Sequence, residues 1–495
     1  MRMPEPDSKV LDRRVALVAG LRNLVPGEGV IADESGLAVY ECDGLTAYRQ
    51  RPLAVVLPET TAEVSAVLAF CRREAVKVVP RGAGTGLSGG ALPLTDGIVL
   101  GLGKFNRILE VDLANRCVVV QPGVTNLAVS EAVAPAGFYY APDPSSQIAC
   151  TVGGNVAENS GGVHCLKYGV TGNNLLGVEL VLMDGTIIRL GGKAGEAAGY
   201  DLLGIVTGSE GLLGVITEVT VRILARPETA QALLLGFPSS VEAAGCVARV
   251  IADGIIPAGM EMMDRLAIDA AEAYCHPGYP TDAGAILIVE FDGVAAEVDE
   301  LAARVAAIAE AEGATTVRQS RDEDERLLFW KGRKSAFPAM GRISPDYYCM
   351  DGTIPRARLA EVLGRMAALA ASQGLRVANV FHAGDGNLHP LILYDANAPG
   401  ELERAEALGA DILRLCVEVG GVLTGEHGVG VEKRDLMGTM FSEQDLDQQQ
   451  RLKCAFDPDG LANPGKVFPT LHRCAELGRM HVHKGETKFA HLPRF

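Results

Sequence analysis

The chain has 495 residues, 48% of them hydrophobic and 22% charged, which is the balance of a globular protein with about two or three domains rather than one core. A formal net charge of −17 excludes a nucleic-acid binder, which needs clustered Lys and Arg against phosphate, and equally a basic membrane-surface patch. The eleven cysteines are scattered with no C-x-x-C pair, so no disulfide framework and no iron–sulfur ligand cluster is expected, and the pattern points to a reducing compartment.

The opening MRMPEPDSKVLDRRVALVAGL has early acidic residues and Pro, without the apolar stretch and small-residue cleavage site of a secretory signal. No run reaches about 18 uninterrupted apolar residues, so no membrane-spanning helix is expected. A cytoplasmic location is expected, peripheral at the inner membrane if at all and then through partner subunits.

Residues 1–50 read as a helical lead-in followed by an irregular connection. LAVVLP (53–58) is a short apolar strand. The helix after it opens on a capping box, Thr60 with Glu63, and repeats Val64, Val67, Leu68 and Cys71 at helical spacing. The strand VKVVP then runs into the glycine loop PRGAGTGLSGG (80–90). From 96 to 226, short β runs are separated by Gly, Asn and Pro, and the Asp-Gly of ELVLMDGTIIRL marks a hairpin. The unit 51–228 is therefore read as α+β with much antiparallel pairing.

Around ARPETAQ (225–231) the texture changes. The strands ALLLGF and AILIVEF alternate with helices starting at Ser239 and covering 295–312 and 356–373. Val298, Leu301, Val305 and Ile308 share one face of the second helix, and Leu359, Val362, Leu363, Met366 and Leu369 one face of the third. This alternation predicts a split-βαβ, ferredoxin-like α+β substrate (cap) domain over 229–440, with helices on one side of its sheet. The last segment, 441–495, is predicted to be helical and to return to the first unit through DPDGLANPGKVFP.

The glycine loop contains a formal G-x-G-x-x-G match at Gly84, Gly86 and Gly89. A dinucleotide fold of the Rossmann kind needs that loop to open directly into a helix, but ALPLTDG follows with Pro93 and a turn, and no Walker lysine is present. A flexible surface loop is the plain alternative. Glycine-dense loops also let backbone N–H groups close around a phosphate, and PDPSSQIACTVGGNVAENSGG (142–162) supplies a second such stretch. Two anion nests in one unit suit a diphosphate-bearing ligand.

These stretches, with QPG at 121–123 and GSEGLLG, resemble the FAD-binding domain of the vanillyl-alcohol-oxidase and PCMH flavoprotein superfamily. HAGDGNLHPLIL, GEHGVG and NPGKVFPTLHRCAELGRMHVH are similar to its glycolate oxidase branch, which lies beside D-lactate and D-2-hydroxyglutarate dehydrogenases. The resemblance runs from about residue 15 to the C-terminus. It implies a PCMH-type FAD domain whose pyrophosphate is wrapped by Pro80, Arg81, Gly82, Ala83, Gly84, Thr85, Gly86, Leu87 and Ser88, together with Thr151, Gly153 and Gly154. It places Asn155, Asn159, Ser160, Gly161 and Gly162 on the flavin side, Val215 and Ile216 at adenine or ribose, and Pro144, Ser145 and Gly211 among the other contacts. Asn463 and Lys466 are expected to approach the isoalloxazine. The glycine loop has no His or Cys for covalent attachment, so the FAD is expected to be dissociable.

His382 and His389 flank AGDGNL, and if VANVF and PLIL are strands their imidazoles can converge at the connection. Glu426 offers a carboxylate from a separate glycine-flanked loop. Two His and one Glu suit zinc or a similar divalent metal, and three ordinary core histidines are the alternative. A metallohydrolase is disfavoured because H-E-x-x-H is absent. The resemblance implies that His382, His389 and Glu426 hold the ion and that His427 is the catalytic base.

For the substrate carboxylate, FWKGRKSAF (329–337) offers Lys331, Arg333 and Lys334, or else a solvated basic face answering RDEDER. Arg can bind a carboxylate through two parallel hydrogen bonds, and family position favours Arg333. Hydroxyglutarate-type relatives carry Lys and Asn where this chain has Cys349 and Leu391, so a small monocarboxylate is expected here. The resemblance thus implies FAD-dependent oxidation of glycolate to glyoxylate. Electrons would pass to an iron–sulfur subunit of a complex that includes a second FAD-binding subunit, or to a quinone-linked acceptor. D-lactate dehydrogenase is the alternative enzyme. A non-catalytic FAD-binding subunit is the alternative of another class, and it would be expected to have lost the histidine set.

Overall fold

Apolar β runs joined through a well-capped helix give parallel pairing at the start of the chain. Ala54–Val56, Gly97–Gly101 and Lys77–Arg81 lie side by side in that order, with Val30–Ile31 antiparallel at the outer edge. The crossover helix Thr61–Glu74 begins on the expected capping box and buries Val64, Val67, Leu68 and Cys71, the four residues its spacing singles out. The lead-in is part of the same body, since Leu17, Val18 and Leu21 of helix Arg14–Leu24 share a core with Leu53 and Val56. This computed structural model describes residues 3–194 and 199–469 and two short strands, Val482–His483 and Glu486–Thr487. The remainder of the 441–495 segment, including most of TLHRCAELGRMHVH, lies outside the described residues.

A second layer of the first unit is an antiparallel sheet ordered Ile108–Asp112, Cys117–Val120, Val215–Arg222, Leu175–Val181, Ile187–Gly191, and the Asp-Gly hairpin closes its last two strands. The C-terminal segment returns here as expected. Val78 bridges Ala462 in parallel, and Lys453 of helix Glu443–Phe456 donates to the carbonyls of Leu212 and Ala462.

The second unit is one large sheet. Thr229–Phe237 pairs with Thr316–Gln319 and Ala285–Gly293, and Gly259–Asp264 joins the latter to Arg376–His382. Pro390–Tyr394 then links Arg376–His382 to Asp346–Cys349. Helices Ser240–Ala252, Ala295–Ala311 and Leu359–Gln373 cover one face, as predicted. The other face is covered as well, by Arg265–Cys275 and Glu323–Lys334, which corrects the one-sided expectation. The physical reason lies in the strands. ALLLGF and AILIVEF are continuous apolar runs, with Leu233 and Leu235 in one core and Leu234 and Ile288 in the other, and a strand buried on both faces needs two covers. Val163 and Leu87 of the first unit pack against that second core, so this face meets the first unit. Among the described residues no helix is long and apolar enough to cross a membrane.

A charged clasp sits at the junction. His164 Nδ1 is 3.0 Å from Asp143 Oδ2, and Nε2 is 3.0 Å from Glu290 Oε1 on strand Ala285–Gly293. Glu290 also takes Arg326 Nη1 at 2.6 Å and the Trp330 indole N–H. Burial alone would push the imidazole down, but Asp143 and Glu290 override it and hold His164 well above its ordinary value. A raised folded-state value means the clasp stabilises fully below the unfolded His value of about 6.5 and is lost as pH rises through the folded one. The thermal midpoint of His164→Gln should therefore fall furthest below wild type at pH values under about 6.5, the gap closing as pH rises well above it. A pH-independent gap would assign the clasp to packing.

Candidate active site

Between the glycine loops and the edge of the large sheet lies a cavity of about 410 Å³. Of the expected cofactor residues, Pro80, Arg81, Gly82, Ala83, Gly84, Thr85, Gly86, Leu87, Pro144, Ser145, Thr151, Gly153, Gly154, Asn155, Gly211, Val215 and Ile216 all line it. The first loop leaves strand Lys77–Arg81 without opening a helix, whereas the second does open one, Val152–Glu158, capped by Thr151 Oγ1 on the Gly154 N–H. The loops touch at Gly82, where a Cβ would stand 2.3 Å from Thr151 Oγ1. Glycine is required there so that both backbones can face the cavity.

Ser88, Asn159, Gly161, Gly162 and Asn463 stand off the cavity wall, and each holds part of its frame. The Ser88 carbonyl accepts from Val431 and Glu432 N–H. Asn159 Oδ1 accepts from Gly172 N–H. A Cβ on Gly162 would lie 2.6 Å from the Asp143 backbone carbonyl carbon, and one on Gly161 would lie 2.5 Å from Glu426 Oε2. Asn463 Nδ2 donates to the carbonyls of Gly90 and Glu210, and its Oδ1 accepts from Lys466, whose amine burial pushes down to about 7.

The histidine corner is built by a hairpin and a loop. Strand Arg376–His382 turns through Ala-Gly-Asp-Gly into Asn387–Leu388, with His382 opposite Asn387 and His389 next in line. Glu426 reaches in from GEHGVG, its Oε1 lying 3.2 Å from His382 Nε2 and 3.0 Å from His389 Nε2. Asp351 fixes that loop. Its buried carboxylate accepts the N–H groups of Gly425, Glu426 and His427 and the Thr424 hydroxyl. From the first unit, Glu210 accepts the N–H groups of Val429 and Gly430. The His427 ring stacks on His389 with centroids 4.9 Å apart, and its Nδ1 is buried with no partner among the described residues.

The imidazoles differ electrically. Burial pushes His427 down to about 4, against the pull of Asp351, so it is neutral. Burial acts on His382 in the same direction but is overridden by Glu261 and Glu426, which hold it well above the ordinary value. Glu426 is held well below the carboxylate range, because His382 and His389 outweigh its burial.

Of the three candidate cations, Lys331 is exposed and does not line the cavity. Arg333 lines it but is 1% exposed and already paired, with Nε 2.8 Å and Nη2 2.7 Å from Glu261 Oε2. The two-pronged fork expected from the sequence is thus partly used: Nε holds the hydrogen bond, Nη2 makes only the ion-pair contact, and Nη1 has no acceptor among the described residues. Lys334 also lines the cavity, partly exposed and 3.9 Å from Asp143 Oδ2. Sequence reasoning missed Glu158, Glu210, Glu261 and Asp351. Glu261 leaves one signal, a lone carboxylate inside the otherwise apolar GMEMM.

Residues 52–191 match the FAD binding domain family, and 226–467 match the family of FAD linked oxidases, C-terminal domain. The cradle fits that cofactor: two glycine-rich loops meet at the wall of the cavity, and Asn155 Nδ2 is a buried donor with no acceptor among the described residues. Fold and site together define an FAD-dependent oxidoreductase. The chain belongs to the FAD-linked oxidase family that includes the glycolate oxidase protein GlcD and D-lactate dehydrogenase. It is 58% identical to the GlcD subunit of Escherichia coli K12 over 97% of each chain. It is 37% identical to the D-lactate dehydrogenase of Archaeoglobus fulgidus, covering 84% of this chain and 91% of that one. Its fold is that of p-cresol methylhydroxylase, with a TM-score of 0.78 at 17% identity over 93% of this chain and 97% of the other.

Proposed function

We propose that the protein oxidises a small 2-hydroxy acid, glycolate to glyoxylate first and D-lactate as the alternative. The observation that carries this reading is the single corner where neutral His427, the cations Arg333 and Lys334, and the His382–His389–Glu426 set line the same cavity as the glycine loops. FAD, when bound, supplies a hydride acceptor at its N5. Arg333 Nη1 and Lys334 hold the substrate carboxylate, His427 takes the hydroxyl proton, and Phe337 and Pro338 exclude water from that wall.

A divalent ion, zinc or similar, fits His382, His389 and Glu426, whose ligand atoms lie within 4.8 Å of one another and form an N,N,O set. The chemistry such an ion supplies is polarisation of a hydroxyl oxygen. Cys349 and Leu391 face each other across paired strands and are both buried, so neither offers charge to a second carboxylate and a small monocarboxylate is favoured. Two units that part near residue 228, with the lead-in to residue 50 and the segment after 440 packed on the first, would deliver electrons in the cytoplasm to an iron–sulfur subunit, with a second FAD-binding subunit in the complex. The E. coli relative is named as a subunit, which supports an assembly.

The test is anaerobic bleaching of the flavin band near about 450 nm by a panel of 2-hydroxy acids. Glycolate or D-lactate should bleach it, while a band that persists with metal-replete, FAD-loaded protein would favour the non-catalytic alternative. The cradle makes a separate prediction. Gly82→Val puts side-chain carbon against Thr151, so the purified variant should lose most of its flavin absorbance on gel filtration while wild type retains it. Equal retention would remove this loop contact from FAD binding.

A further inference from the structure

Strand Gly259–Asp264 is buried and apolar through Met260, Met262 and Met263, yet it carries one carboxylate at its centre. Glu261 is 1% exposed and stands directly opposite His382 in the antiparallel pairing, so the two side chains leave the same face of the sheet. Its Oε1 is 2.6 Å from His382 Nδ1. Its Oε2 is 2.8 Å from Arg333 Nε and 2.7 Å from Nη2. A carboxylate this deep is costly to desolvate, and here both oxygens are spent on groups that line the cavity, not on the surrounding core.

We propose that Glu261 is a positioning residue that ties the acid-binding Arg333 to the ion-holding His382, setting the rotamer of the first and the tautomer of the second. The proposal rests on the functional reading above. With the Nδ1 proton given to Glu261, His382 has only Nε2 to present toward Glu426 and the ion. The same carboxylate takes the hydrogen bond of Arg333 Nε and the ion-pair contact of Nη2, and leaves Nη1, with neither, as the donor available to an acid. One rigid strand therefore fixes the distance between carboxylate recognition and the ion, which the substrate must span with its two functional groups.

Glu261→Gln isolates this role, because an amide keeps the shape but cannot accept from both partners. In the FAD-loaded full chain, Zn²⁺ affinity by chelator competition should fall about 10–100-fold, as for other groups that orient a metal-bound imidazole. Acid affinity, read from perturbation of the flavin band by oxalate, should fall as well, and KM should rise more than kcat drops. A variant that folds, with Zn²⁺ and oxalate affinities equal to wild type, would overturn the proposal. The second measurement uses wild type alone, labelled with ¹⁵N-histidine. His382 should keep its Nδ1 proton when Zn²⁺ is added, and ligation through Nδ1 would also overturn the proposal. If wild type takes up no Zn²⁺ the ion reading fails by itself. The oxalate affinity of Glu261→Gln then decides the positioning role.

Discussion

Replacing His427 with alanine should slow flavin reduction by a 2-hydroxy acid about 10²–10⁴-fold, the usual worth of a positioned general base, while FAD stays bound. The expectation rests on how the residue is held. Its backbone N–H is tied to Asp351 at 2.8 Å, so the loop keeps its shape without the ring. The ring itself stacks on His389, with Nδ1 free of any partner among the described residues. Burial keeps the imidazole neutral, which is the form that can take a proton. Stopped-flow mixing with glycolate under anaerobic conditions gives the rate, and the flavin-to-protein absorbance ratio gives cofactor retention. His427→Gln, which fills more of the stacking volume, should be similarly slow. Reduction within a few-fold of wild type in both variants would remove His427 from the proton step.

Much of the framework is legible locally, because its signals lie within a few residues of one another. The capping box at Thr60, the Asp-Gly hairpin and the glycine loop that opens no helix are of this kind. The second cover on the large sheet is legible in principle, since ALLLGF shows no polar alternation. Helical periodicity, however, says nothing about which face of a sheet a helix takes. The site is less legible. His382, His389 and Glu426 meet across 37 and 44 positions of sequence separation, and resemblance, not spacing, groups them as one set. The buried carboxylates behind them have even less of a pattern. Asp351 collects N–H groups 74–76 positions away, and Glu261 reaches His382 across 121. A lone acidic residue in a strand does not announce its partners. The expectation for Arg333 falls short for the same reason: nothing in FWKGRKSAF shows that Glu261 already occupies one edge of the guanidinium.

Glu426→Gln should abolish ion uptake and with it most turnover, lowering Zn²⁺ affinity by at least about 100-fold, the upper end of what loss of a mere supporting group costs. One oxygen, Oε1, faces Nε2 of both His382 and His389, so this carboxylate is the negative charge that the two rings share. An amide in its place leaves two nitrogen donors and no charge to offset a divalent cation. It also turns a donor or a weaker acceptor toward His382, whose charge now depends on Glu426 and Glu261 together. The carboxylate has little freedom to compensate, because Gly161 lies so close that a Cβ there would come within 2.5 Å of Oε2. Gly161→Ala should therefore reproduce a milder form of the same defect, with Glu426 displaced but still charged. Metal analysis after dialysis against Zn²⁺, paired with glycolate-driven flavin reduction, separates the outcomes. Chelation should reduce wild type to the level of Glu426→Gln, and added Zn²⁺ should restore wild type alone. Full activity in chelated wild type and in Glu426→Gln would show that the histidine corner acts without an ion, leaving His427 and Arg333 to do the chemistry.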